Sequence, residues 1–196
     1  MIPEITAYTA KDFHNWLKKH HKSEHKVRVI LHKKHTGKTA PSHRQLIEEA
    51  ICFGWIDTTI KRIDEDTFMR NFSKRNEGSK WSDNTLSYGK ALIKAGRMQE
   101  QGIHFYKQGE AKPTHDHGIP KNPDMPIELK RALAKNAAAK KNFENVAPSM
   151  KRTLFRYILR GVQATTREKR VTQIVANYSK SSKGSIFRAT ARQKGA

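Results

Sequence analysis

Residues Glu48 to Asn84 read EEAICFGWIDTTIKRIDEDTFMRNFSKRNEGSKWSDN, and the way the apolar period changes along this stretch decides the fold. Leu46, Ile47, Ala50 and Ile51 recur at helical spacing, and Gly54 is placed to supply the left-handed residue that closes a helix. From Trp55 to Arg62 the composition turns aromatic and β-branched, and it does so again from Thr67 to Ser73, with Ile63-Asp64-Glu65-Asp66 as the polar connection. That pattern predicts a β-hairpin. Two landmarks follow it, the basic strand end Phe72-Ser73-Lys74-Arg75 and the compact Ser79-Lys80-Trp81-Ser82-Asp83-Asn84, in which Ser82 is a good N-cap for the next helix.

Upstream, Thr9 with Asp12 has capping-box spacing, and Phe13, Trp16 and Leu17 make the apolar face of a short helix running to about Lys19. Val27, Val29 and Leu31 alternate with Arg28, Ile30 and His32, the period of a strand with one buried face. Thr36-Gly37-Lys38 breaks that pattern, and Ser42 with Gln45 forms a second capping box. The expectation is one small antiparallel sheet, the 27–31 strand joined to the hairpin, covered on one face by the helices that start near Thr9 and Ser42.

Downstream, a helix through Leu86 and Leu92 should stop at Gly96, and another piece should run from about Met98 to Lys107. The segment from Gly109 to Met125 is rich in Pro and Gly and reads as a linker. Beyond it the pattern is helical: Pro126 with Ile127, Leu129 and Leu133, then an alanine-rich piece ending on Phe143 and Val146, then Pro148-Ser149 ahead of Met150, Leu154, Tyr157 and Ile158. Thr165 with Glu168 has the spacing of a third capping box, leading to Val171, Ile174, Val175 and Tyr178. The fold class is therefore α+β, with an N-terminal α+β region over 1–108, a linker over 109–125, and a helical segment over 126–179. The basic tail 180–196 has no periodic apolar pattern and is expected to be disordered. No internal repeat is present.

The chain of 196 residues, 36% hydrophobic, is long enough to bury a core. Its charge is the outlier: 39 Lys and Arg against 18 Asp and Glu give +21, a field that attracts polyanions such as nucleic acid or anionic lipid head groups. From Lys151 to the C-terminus twelve Lys and Arg face the single acid Glu168. Cys52 is the only cysteine, so no internal disulfide can form and a reducing compartment is the natural home. The start MIPEITAYTAKDF lacks the features of a signal peptide, and no apolar run approaches the roughly 20 residues that span a bilayer. A cytoplasmic, soluble protein is the expectation; oligomeric state is not legible.

Trp55, Asp57, Lys61, Arg75, Ser79, Trp81, Ser82 and Asn84 combine two aromatic plates, two cations and several short hydrogen-bonding groups. Such a set can line an anion or base-stacking pocket, with Arg75 offering planar bidentate contacts and the Ser82 helix its N-terminal donors. The competing structural reading makes both tryptophans core plates and pairs Asp57 with Lys61 or Arg75 to pin the hairpin. Arg156, Arg160, Arg167, Arg170, Lys180, Lys183, Arg188 and Arg192 are the candidate contacts for a non-specific polyanion such as duplex DNA. His32 with His35 lies among lysines and His115 with His117 in the linker without a matching carboxylate cluster, so no metal or other cofactor is expected. Cys52, between Ile51 and Phe53, reads as buried rather than nucleophilic, and no phosphate loop, dinucleotide fingerprint or nucleophile elbow occurs. No catalytic residue is assigned.

The runs Glu48–Asp57, Phe72–Arg75, Ser79–Asn84 and Gly96-Arg97-Met98, with Pro126, Ala132-Leu133, Tyr157-Ile158 and Thr166-Arg167-x-x-Arg170 later, resemble the YdeI/OmpD-associated, or bacteriocin-protection (OmdA-like), family. Thr58 stands where that family has glycine, and Gly161-Val162 interrupts a helix end usually rich in alanine and lysine. The resemblance implies an α+β N-terminal region, a helical C-terminal segment, and an association with envelope stress and antimicrobial-peptide resistance, including a protein partner there. It implies no reaction. A non-enzymatic binding or stress-response protein is therefore the leading reading; the alternative is an enzyme or a pocket for a small anionic or nucleotide-like ligand around Trp55, Arg75 and Trp81.

Overall fold

The computed structural model describes residues 1–182, which fall into two compact units divided between His115 and Asp116. The expectation of disorder beyond Ser182 lies outside the described residues.

Unit 1 runs in the order β1 (Glu4–Thr6), α1 (Ala10–His20), β2 (Lys26–His32), a 3-10 turn at Lys34–Thr36, α2 (His43–Cys52), β3 (Trp55–Arg62), β4 (Thr67–Lys74), α3 (Asp83–Lys94) and α4 (Glu100–Glu110). Its four strands lie in the order β1-β2-β4-β3. β3 and β4 form the antiparallel hairpin, and β4 pairs antiparallel with β2 through Val27↔Phe72 and Leu31↔Phe68. β1 adds a parallel edge that sequence reading did not find, because three residues are too short to display a period.

Val27, Val29, Leu31 and Phe72 put one sheet face into the core, against Phe13 and Leu17 of α1 and Leu46, Ala50 and Ile51 of α2. Phe13 and Phe72 meet with ring centroids 4.7 Å apart. Both N-terminal capping boxes are formed, Thr9 with Asp12 and Ser42 with Gln45. Gly54 has φ +75°, and a Cβ there would also strike Phe105 and Gln101 of α4, so the turn and the packing both demand glycine. The segment expected as linker does not start at Gly109. That residue lies inside α4, where its bare Cα lets the Trp81 ring lie against the helix.

Unit 2 contains α5 (Ile127–Ala134), α6 (Ala137–Glu144), α7 (Pro148–Leu159) and α8 (Ala164–Tyr178). Leu129, Leu133, Phe143, Leu154, Ile158, Val171, Ile174 and Tyr178 form its own core. The third capping box is absent: α8 starts at Ala164 on Gln163, so Thr165 already has helical neighbours and cannot serve as the cap. Among the described residues, no helix is long and apolar enough to cross a membrane.

Candidate functional site

The corner where β3 leaves α2 and β4 ends fixes the position of Arg75. Its backbone N–H donates to the carbonyl of Gly54 at 2.9 Å, so the left-handed turn and the strand end are tied together. The side chain is 4% exposed. Nε donates to the Trp55 carbonyl at 3.3 Å and Nη1 to that of Lys80 at 3.4 Å, both long. The guanidinium carbon sits 3.6 Å from the centroid of the Trp81 ring, a cation–π stack. Among the described residues no carboxylate comes within ion-pair distance, although the Asp57 charge is felt across the site. Burial pushes the guanidinium down from its ordinary value to about 10, which still leaves it charged at neutral pH.

Trp81 is itself held from three sides. It meets Tyr106 edge-on at 5.9 Å, lies over Gly109, and carries Arg75 on its face. Tyr106 is in turn fixed by its hydroxyl, which donates to Glu110 at 2.7 Å. The stack is thus a rigid plate under a cation.

A cavity of about 380 Å³ opens beside Arg75. Ile47, Ala50 and Ile51 of α2 and Trp55 and Ile56 of β3 give it an apolar wall, while Asp57, Lys80, Ser82, Thr85 and His115 supply polar groups. Trp55 is fully buried, and its Nε1 has no hydrogen-bond partner among the described residues. Buried donors without acceptors are uncommon in folded proteins, and this one belongs to a residue lining the same cavity as the unpaired guanidinium.

Of the eight residues singled out from sequence, Trp55, Asp57, Arg75 and Ser82 line this cavity, and Trp81 backs it. Ser79 instead closes a local turn with Asn76, and Asn84 is exposed on α3. Lys61 belongs to another surface, with Lys26, Arg28 and Asn71. The cause is an irregularity in the ladder between Asp57 and Ile60, where two residues of β3, Thr58 and Thr59, oppose one of β4, Asn71. One extra residue reverses the facing of everything beyond it, so Lys61 and Asp57 do not share a face. Asp57 accordingly pairs neither with Lys61 nor with Arg75. Its Oδ2 meets Nε2 of His43 at 3.1 Å and Nη1 of Arg70 at 3.4 Å.

The α3 N-terminus is not an open anion site either, because Ser82 and Thr85 cap each other: Thr85 N donates to Ser82 Oγ at 3.2 Å and Ser82 N to Thr85 Oγ1 at 3.0 Å. Sequence reading missed Ile47, Ile51, Thr85 and His115. The helical stripe through Ile47 and Ile51 was visible, but nothing in a stripe says which of its members borders a cavity.

Cys52 is 1% exposed, and burial, reinforced by the Glu49 charge, pushes its thiol up to about 12. Glu49 is buried between His14, at 2.8 Å, and Arg97, at 2.5 Å. Among the described residues no group of three or more His, Cys, Asp or Glu side chains is arranged to hold a metal ion.

The candidate polyanion contacts in unit 2 are largely engaged within it. Arg156 and Arg160 both bond the buried Asp116, Arg160 through Nε at 2.6 Å and Nη2 at 3.0 Å. Arg167 lies 3.7 Å from Glu128, and Arg170 donates to the Tyr157 carbonyl and stacks on its ring. Lys180 is exposed; Lys183, Arg188 and Arg192 lie outside the described residues. The exposed cations of the unit are instead mostly lysines, among them Lys130, Lys135, Lys140, Lys141 and Lys169.

Comparison with curated proteins and with solved structures gives no match. Two families match by sequence. Residues 5–105, which carry the Arg75 site, match the family described as Domain of unknown function (DUF8412), and residues 122–180 match Bacteriocin-protection, YdeI or OmpD-Associated (OmdA). With just over half its length in the first match, the chain belongs to the DUF8412 family, and its C-terminal helices are similar to the bacteriocin-protection, YdeI or OmpD-associated family.

Proposed function

We propose that the protein is a non-enzymatic binding protein whose first unit holds a small anionic ligand in the cavity beside Arg75. One observation carries the reading: a charged guanidinium, 4% exposed, is stacked on a fixed indole without a carboxylate counter-charge among the described residues. An unpaired buried charge is costly, and a bound anion would offset that cost. The titratable groups nearby argue against chemistry on the ligand. Asp57 is engaged by His43 and Arg70, and the Cys52 thiol is held neutral. The family description that unit 2 matches, Bacteriocin-protection, YdeI or OmpD-Associated, supports a role in protection from bacteriocins. A chain of net charge +21 repels cationic peptides, so such protection acts through another partner rather than by capture.

The test is thermal denaturation of the full chain at low ionic strength against acetate, sulfate and phosphate. A ligand that binds only the folded state raises Tm in proportion to the logarithm of its concentration. At least one anion should do so for the wild type and not for Arg75→Met. Equal shifts in both proteins would remove the site. A second reading, non-specific polyanion binding, is favoured by the exposed lysines of unit 2 and is compatible with the first.

A further inference from the structure

Building on the anion-binding reading, we infer that the occupant of the Arg75 cavity is an amphiphilic monocarboxylate, its head on Arg75 and its hydrocarbon body against Ile47, Ile51, Trp55 and Ile56. The single charge follows from the electrostatics of the lining. Arg75 offers the one buried positive charge of the lining, since Lys80 is exposed and screened by solvent, while Asp57 lines the same cavity and acts on that guanidinium. A phosphate monoester carries close to two negative charges at neutral pH, and its second would face Asp57. A carboxylate balances Arg75 and stops there.

Geometry agrees with charge. Two of the guanidinium donors go to the Trp55 and Lys80 carbonyls, and Trp81 covers one face of the plane. The remaining N–H groups lie at the guanidinium edge, the planar fork that matches a carboxylate. The wall formed by α2 and β3 is apolar, so a bare oxyanion would leave it wetted. With about 380 Å³ the cavity suits a medium-length chain or a single ring, at the small end of ligand sites.

The experiment is calorimetric titration of the full chain with phenylacetate, phenylacetamide, phenyl phosphate and inorganic phosphate, and with the aliphatic series from butyrate to octanoate. Phenylacetate should bind at least tenfold more tightly than phenyl phosphate, and the neutral amide should not bind. Along the aliphatic series, affinity should rise about fourfold per methylene until the cavity is full. Ile47→Gln, at a half-buried position, should flatten that dependence, and Arg75→Met should abolish binding of every carboxylate. Tighter binding of phenyl phosphate or inorganic phosphate would overturn the carboxylate inference and leave the anion-binding reading standing. Absence of binding by all four anion types, or equal binding of phenylacetamide, would overturn both.

Discussion

At the scale of single residues, Arg75 and Cys52 show how burial sets chemistry. The Arg75 shift corresponds to a cost on the order of 3 kcal/mol for burying its charge, present in full below pH 10. The folded chain loses that proton before the unfolded chain does, so the cost diminishes as pH rises from about 10 towards the ordinary guanidinium value. At neutral pH, Arg75→Met removes an unpaired charge while giving up two long carbonyl bonds. Urea denaturation should therefore place the variant within about 1 kcal/mol of wild type. A loss of several kcal/mol would mark Arg75 as a structural strut instead of a ligand group. Cys52 shifts the other way: its folded-state value, about 12, is above the ordinary 9, so stability from burying the neutral thiol is complete below pH 9 and is lost as pH rises towards 12. At pH 8 a thiol reagent should modify native Cys52 only as fast as the protein opens, and modify the urea-unfolded chain at once. The residue types at this corner were legible in the sequence; their partners were not. Arg75 and Trp81 lie six positions apart in the chain, and only the turn through Ser79 brings the guanidinium over the indole.

At the scale of elements, the site depends on how α4 lies against its neighbours. A Cβ at Gly102 would overlap the carbonyls of Ile51 and Cys52 at the end of α2, and one at Gly109 would overlap the Trp81 ring. Neither obstacle is the flexible end of a side chain. Gly102→Ala and Gly109→Ala should each destabilise unit 1 by roughly 1–2 kcal/mol, despite the higher helix propensity of alanine, because overpacking against fixed groups, about 2–3 kcal/mol, outweighs about 1 kcal/mol of propensity. Gly109→Ala should also disturb the Trp81 stack and weaken anion binding, whereas Gly102→Ala should lower stability with less effect on affinity in the folded fraction. Chemical denaturation followed by titration separates the two. Periodicity disclosed most of the elements, since Val27, Val29 and Leu31 or Val171, Ile174 and Tyr178 announce a buried face directly. It did not disclose the ladder irregularity after Asp57, which turns Lys61 away and leaves Asp57 to Arg70 and to His43 from α2. A register shift depends on the partner strand, which no local pattern encodes.

At the scale of the whole molecule, charge is the property that sequence displayed most openly and that structure redistributes. The arginine set that looked suited to phosphate is in large part occupied: Arg156 and Arg160 hold Asp116, and Arg170 holds the Tyr157 carbonyl. The exposed lysines, Lys130, Lys140, Lys141 and Lys169 among them, remain available. Lysine provides point charges without the planar fork that reads base edges, so binding to duplex DNA should be independent of sequence. Its strength should fall steeply with salt, with a log–log slope of roughly −0.9 for each phosphate neutralised. Ending the chain after Ser182 removes Lys183, Arg188, Arg192 and Lys194 while keeping every element of both units. Fluorescence anisotropy at several salt concentrations should give a shallower slope for the shortened chain, with denaturation midpoints unchanged. Arg156→Lys and Arg160→Lys should loosen the Asp116 contact and lower the stability of unit 2 without changing the slope. If those arginine variants reduced the slope as much as the truncation did, the internal bonds would be opening to admit phosphate, and the lysine assignment would fail. Loss of all binding near physiological salt would reduce the charge to a solvated surface, leaving the proposed anion site of unit 1 to account for function by itself.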